Sequence, residues 1–542
     1  KGFIMSLFDQ IIAGKVQVTN LDATEDNLDN VDTEGTEVEA GEGAEAEAPA
    51  EDTTETETEG QEQEQEVETT VDSEGQELVE EADEIETDLL EVEADEAEAQ
   101  EVEAQVEEAE EAAVATEAFL ANLFAAKYTG GLTAAHCELA HEHVTYIGRR
   151  IGMPAKDMPA LDYGRESFAT AGAIAMSTEG AIQSVKDFIM KIINGIVSGV
   201  KWLLGKGREL FNKMFDQLTK LRKYAANLKE KVSNISTDTP KESKYKSSKN
   251  KWLVCGENND AAKLGTVVDA ANIIKEGTAD LIKGWDANYT AKVATENTTI
   301  VDDILNEMEK NGEQAANVKV DTTSINSIGQ TSKTIDIKKF DSAFPFKAST
   351  KITNPAMAGG SFAKCTVVYP GNFMLMAIGG KNGDLVKIVL GKVNDKALNS
   401  LHKQEVEVSR KSELLQALGT INSALDDCEK IRAMVEKMNP TIKKLESTIN
   451  KFRMKYVTFT KKARDDRSYM ESIKVIRTGV STLKQQIYLL RKPGEETVKL
   501  ALRSSYGVLS VINAQAALYG KGSGKTVDTE DSRSVPALPN KQ

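Results

Sequence analysis

The sequence predicts a mainly α-helical protein with a small antiparallel β domain, α+β overall, led by a long disordered acidic N-terminal arm. Three observations carry that class. Residues 1–117 hold 42 Asp or Glu and only two basic residues, Lys1 and Lys15. Apolar residues then recur at helical spacing through most of the remaining chain. Between about Val318 and Val408 the texture changes to Thr, Val, Ile and Gly, as strands require.

At the N-terminus, Leu7, Phe8, Ile11 and Ile12 within Met5–Gly14 sit at helical spacing, so residues 1–20 read as a short amphipathic docking helix. Asp9 and the shortness of the apolar run argue against an export signal. Residues 21–117 form the arm. From Asp22 to about Glu111 it is Glu, Ala, Thr, Gln and Val without an aromatic residue, too little apolar surface to offset chain entropy. Leu78 to Ala113, with Ile85, Leu89, Leu90 and Val92, is expected to become helical only at lowered pH or on a cationic partner.

Order is expected to begin at Ala118, where Phe119, Leu120, Leu123 and Phe124 mark a helix face, opening a helical domain over 118–232. Gly130-Gly131 interrupts it, a second helix follows to about Gly152, and the longest amphipathic stretch spans Ser177 to Val232. Its longest uncharged run, Ile192 to Val200, falls short of the roughly 20 residues that cross a bilayer, which predicts no transmembrane helix. Residues 233–250 read as a linker and 251–317 as a helical segment. A small β-rich domain over 318–410 follows, with strands around Ala363–Tyr369, Phe373–Ile378 and Leu385–Leu390 and turns at Pro370-Gly371-Asn372 and Gly379–Asp384. Residues 411–519 predict a helical hairpin or bundle punctuated by Pro440 and Pro493, and 520–542 a disordered tail. No internal repeat stands out.

Four cysteines more than 60 residues apart predict neither disulfides nor zinc ribbons, and point to a reducing compartment. His136, His141 and His143 could supply metal ligands, but His136 and His141 are five apart, about 140° from one another on a helix, and the order is not the HExxH that puts two ligands on one face, so an ordinary polar helix is the better reading and no metal or other cofactor is expected. Gly520–Thr526 resembles the end of a P-loop, yet Tyr519 stands where the first glycine belongs. No nucleophile elbow or dinucleotide fingerprint appears, so the chain is read as a non-enzyme.

Charge is the strongest functional signal. Residues 1–117 carry −40 and residues 118–542 carry +18, which together give the net −22. Two basic runs are candidate polyanion surfaces: Lys201, Lys206, Arg208, Lys213, Lys220, Arg222 and Lys223, and then Lys443, Lys444, Lys451, Arg453, Lys455, Lys461, Lys462 and Arg464. Lacking a base-reading motif, they would contact phosphates without regard to sequence.

At the charge junction stands Ala115-Thr116-Glu117, immediately before Ala118. The same pattern, a small or apolar residue, any residue and then Glu, also fits Ala82–Glu84, Ala94–Glu96, Ala99–Glu101, Ala109–Glu111, Ser177–Glu179 and Ala294–Glu296. The layout resembles that of internal head proteins of large tailed bacteriophages, whose propeptides a prohead protease removes after such a Glu. The resemblance implies a structural protein made in the host cytoplasm and housed inside the capsid head. Its implied partners are the prohead protease, capsid or scaffold proteins, and packaged DNA. It also implies cleavage between Glu117 and Ala118, with 21–117 as the propeptide. A competing reading is a membrane-active helical protein whose acidic arm masks Phe188 to Leu204.

Overall fold

In a computed structural model, the described residues are 73–155, 158, 171–256, 263–312, 335–347, 362–379, 385–392, 404–462 and 466–519. Their helices are α1 (Ser73–Tyr128), α2 (Ala134–Arg150), α3 (Ala171–Ser233), α4 (Val267–Gly284), α5 (Ala287–Gly312), α6 (Lys411–Lys462) and α7 (Asp466–Ala517). The strands are β1 (Lys244–Tyr245), β2 (Val254–Cys255), β3 (Lys263–Leu264), β4 (Phe346–Lys347), β5 (Phe362–Cys365), β6 (Phe373–Gly379), β7 (Leu385–Lys392) and β8 (Val406–Glu407). A mainly helical chain with small antiparallel sheets is what the sequence pattern predicts.

The acidic segment departs from expectation. Helix α1 starts at Ser73 and runs unbroken past Glu117, so 73–117 is not an unstructured arm but most of a 56-residue helix. The docking helix at 1–20 and the arm up to residue 72 lie outside the described residues. The physical reason is a stripe that composition conceals. Leu78, Ile85, Val92, Ala99, Val106, Ala113 and Leu120 recur every seven residues, and all are buried except Ala99, which packs against the core from a partly buried position. A seven-residue period keeps one narrow seam in contact with a partner helix along its whole length. The cationic partner that the segment needs in order to fold is supplied by its own chain.

That partner is α3, 63 residues and ~95 Å long. Its face of Phe188, Ile189, Ile192, Ile193, Ile196, Val197, Val200 and Leu204, continued by Phe215, Leu218, Leu221, Ala225 and Leu228, is buried throughout. By length and composition alone helix α3 could cross a membrane, a test that the buried core helix of a soluble protein also passes. Here that face is covered, chiefly by α1, α6 and α7. Gly207 lets α7 approach closely: the Arg491 guanidinium lies where a Cβ would stand and donates to the Leu203 carbonyl at 2.8 Å.

Helices α6 and α7 form the expected hairpin and pass through Pro440 and Pro493 without ending. A proline within a helix forfeits a backbone hydrogen bond. Around Pro493 the surroundings hold the path: the buried Trp285 ring packs on Gly494, and the Thr497 hydroxyl donates to the Pro493 carbonyl at 2.7 Å. Helix α4 opens with a capping box, Thr266 and Asp269 bonding each other's backbone amides.

The sheet β4-β5-β6-β7 is antiparallel, with Lys364 opposite Ala377 and Ala377 opposite Ile388. Gly371 (φ 85°) and Asn372 (φ 66°) make the predicted turn ahead of β6. The turn expected at Gly379–Asp384 lies mostly outside the described residues. Strand β6 is buried on both faces, since Met374 and Met376 meet Val254, Cys365 and Val368 while Leu375 and Ala377 join the main core. The Tyr488 hydroxyl of α7 receives the Ile388 amide at 3.0 Å and donates to its carbonyl at 2.6 Å, docking β7. The stretch read as a linker is tied in as well: β1 pairs with β8, and buried Asn250 donates to the Gln404 carbonyl at 3.1 Å.

Candidate functional site

Between Ser73 and Glu117 the chain carries 20 acidic residues and no basic one, and α1, packed against α3 and α7, brings part of them to cations of both helices while others stay exposed. On the α3 side the pairing forms a ladder. Lys220 meets Glu84 and Asp88, both at 2.6 Å; Lys213 meets Glu91 at 2.9 Å and Asp95 at 2.7 Å; Lys206 meets Asp95 at 2.9 Å and Glu98 at 3.4 Å. Lys223 adds Glu81 at 3.1 Å. The cations step by seven in one direction and the carboxylates by seven in the other, so the helices are antiparallel and share one period.

The α7 side repeats the arrangement with deeper charges. Glu96, Glu103, Glu110 and Glu117 are again seven apart. Glu96 pairs with Lys499, Glu110 with Lys484 at 2.8 Å and Glu117 with Arg477 at 2.9 Å, while Glu103 lies 3.6 Å from Lys387 of β7. Arg503 reaches Glu93 at 2.7 Å, and Arg150 of α2 holds Glu108 at 2.9 Å and Glu111 at 2.7 Å. None of the α7, β7 or α2 cations stood out in the sequence. The signal that would have found them is the heptad of α1, which places Glu96, Glu103, Glu110 and Glu117 one helical turn from the apolar seam.

Electrostatics follow the depth of each group. Burial works against ionised Asp88, Asp95 and Glu96, yet Lys220, the Lys213/Lys206 pair and the Lys499/Lys492 pair, respectively, overcome it and hold these carboxyls below their ordinary values. Hydrogen bonds donated to Asp95 and Asp88 raise Lys213 and Lys220, respectively. Glu117 is the exception, because burial raises it and Arg477 only partly compensates.

The predicted residues distribute unevenly over this geometry. Lys206, Lys213, Lys220 and Lys223 face the acidic helix. Arg208 and Arg222 turn to α6 instead, Arg208 to Glu446 at 2.9 Å and Arg222 to Asp426. Lys201 is half-buried and also engaged. In the second run Lys443 is exposed, Lys444 donates to Thr299 at 2.6 Å and Lys451 meets Asp302 at 3.2 Å. The side chains of Arg453, Lys455, Lys461 and Lys462, and Arg464 altogether, lie outside the described residues. The two runs do not merge into one open patch among the described residues.

At the charge junction Thr116 and Glu117 are buried in mid-helix, and Ala115 and Ala118 are exposed. The His143 ring stacks 4.9 Å from that of Phe119, and burial lowers its pKa while a hydrogen bond to the Ala115 backbone opposes. His141 is exposed, the His136 side chain lies outside the described residues, and no group of three metal-ligating side chains converges among the described ones.

Acid should loosen α1 in two stages. His143 has a lowered folded pKa, so its contribution is present above the ordinary value of about 6.5 and lost as pH falls through the lowered one. Asp88, Asp95 and Glu96 act likewise below the ordinary carboxylate range near 4. Glu117 has the opposite sign and gives back a little on protonation. Hydrogen exchange of residues 78–120 should hold steady from pH 7 to about 6.5, weaken modestly below that, and collapse below about 4. Unchanged protection at pH 3 would sink this assignment.

Comparison with known proteins supplies the context. No curated protein and no solved structure matches the chain. Residues 45–473 match the family described as phiKZ-like phage internal head proteins, a span that includes α1 to α6 and the opening of α7. The chain therefore belongs to the phiKZ-like phage internal head proteins, structural proteins made in the host cell and located inside the capsid head.

Proposed function

We propose that the groove between α3 and α7 is a sequence-independent DNA-binding surface and that α1 is its removable cover. The supporting observation is the ladder: Lys206, Lys213 and Lys220 are held by carboxylates of a segment that carries no positive charge. A helix bristling with carboxylates presents to those lysines the same kind of charge as a phosphate backbone. Cutting between Glu117 and Ala118 by the prohead protease, followed by loss of the acidic segment, would leave a body of charge +18 that neutralises part of the packaged genome's charge. While covered, the protein would meet capsid or scaffold proteins without premature capture of DNA. The body has no catalytic task in this reading.

The N-terminus in mature particles tests the proposal, with Ala118 expected and an intact acidic segment counting against it. In vitro, neutralising the ladder in the full chain with Glu84→Gln, Asp88→Asn, Glu91→Gln and Asp95→Asn should raise duplex affinity at least tenfold. That affinity should fall steeply with salt. The competing reading is a bilayer surface, taken up by the amphipathic stretch from Phe188 to Leu204 once α1 is gone. Leakage of anionic liposomes by the cut chain, without DNA binding, would favour it.

A further inference from the structure

We infer that a single cut does not open the groove: severed at Glu117–Ala118, the acidic helix stays seated, and unmasking requires it to be cut into short pieces. The inference rests on the masking reading above and concerns how the mask is lifted. Hydrolysis consumes one water and breaks one amide C–N bond, leaving a carboxylate on Glu117 and an ammonium on Ala118. The Glu117 side chain keeps its 2.9 Å contact with Arg477, which does not involve the severed bond.

Nothing else that seats the helix depends on the broken bond. Leu78, Ile85, Val92, Val106 and Ala113 remain buried along the seam. The ladder to Lys206, Lys213 and Lys220 remains on one flank, and Lys484, Lys499 and Arg503 remain on the other. A polyanion can compete for those cations, but phosphates offer no replacement for the apolar seam, so charge competition alone leaves the helix in place.

The repeated small-x-Glu sites then acquire a role. Cuts after Glu84, Glu96, Glu101, Glu111 and Glu117 would give pieces 85–96, 97–101, 102–111 and 112–117, none longer than 12 residues. Each keeps at most two members of the seven-residue stripe. Peptides of that length are marginal helices on their own, so each would lose both its fold and its grip. The seam makes the helix cooperative when whole, and the cut sites make it fail when divided.

The test uses the full chain with a specific protease site inserted between Gly130 and Gly131, in the turn after α1. After cutting, gel filtration at 0.15 M and 1 M NaCl reads whether the acidic fragment co-elutes, and duplex binding is measured on the same fractions. Retention at both salts, with duplex affinity within twofold of the uncut chain, is the expected result. A fragment that leaves at 0.15 M NaCl overturns the inference; if duplex affinity then rises, the masking reading survives. A retained fragment with already high duplex affinity sinks the masking reading instead. Labelled peptides 73–117 and 102–111 added to the cut chain read the second half: the long one should exchange in, and the short one should bind at least 100-fold more weakly. Equal binding would overturn the requirement for pieces. In a cut chain that also carries Val92→Asn and Val106→Asn, the fragment should be lost, while the unsubstituted chain decides on retention by itself.

Discussion

Replacing Val106 with Asp is expected to unseat helix α1 and to destabilise its packing by about 4 kcal/mol or more. Val106 is fully buried in the middle of the seam, so the substitution removes apolar burial worth about 1.5 kcal/mol and places an unpaired carboxylate there at a cost of several more. Limited proteolysis should show residues 73–128 becoming susceptible while the α6–α7 hairpin stays resistant, and a urea titration should show an early transition. Val114→Asp supplies the contrast. Val114 is 46% exposed on the same helix, and its replacement should change stability by no more than about 0.5 kcal/mol. If both variants behave alike, the seam is not what holds the helix.

The second large effect is expected at Lys499. Its ammonium is buried between Glu96 of α1 and Glu496 of its own helix. Lys499→Ala leaves both carboxylates buried without that partner and should cost about 3–5 kcal/mol. Adding Glu96→Gln should recover much of the loss, because one of the stranded charges is then gone, and a double-mutant cycle would report the coupling between α1 and α7 directly. Additive effects of the two substitutions would mean that the pair does not act as one unit.

Much of this architecture is legible in the sequence because packing agrees with local pattern. The Gly130-Gly131 break, the Pro370-Gly371-Asn372 turn, the three main strands and the α6–α7 hairpin all follow from periodicity and turn chemistry. The acidic segment fails for a definable reason. Only nine of residues 73–117 are Leu, Ile or Val among 20 acidic ones, so any average over the segment reports a solvated chain, and its helix forms only against α3 and α7, which begin more than 50 residues beyond Glu117. Tertiary partners override low local hydrophobicity, and only the period betrays them. The basic runs were visible as charge, but composition does not say which way a lysine points. Lys206, Lys213 and Lys220 face α1, whereas Arg208 and Arg222, a few residues away on the same helix, are turned to α6. Arg477, Lys484 and Lys499 hide among apolar neighbours on α7 and form no run at all.

The cysteines carry a consequence of a different kind. All four are buried and free, and burial raises every one of their thiol pKa values, Cys255 and Cys365 to about 11. At pH 8 a thiol of that kind is ionised in about one molecule per thousand, and it is the thiolate that oxidants attack. A head protein is made in a reducing host interior and then spends its extracellular life in aerated water. Burial of the sulfurs, together with the raised pKa values, makes oxidation of these thiols slower in the folded protein than that of exposed ones.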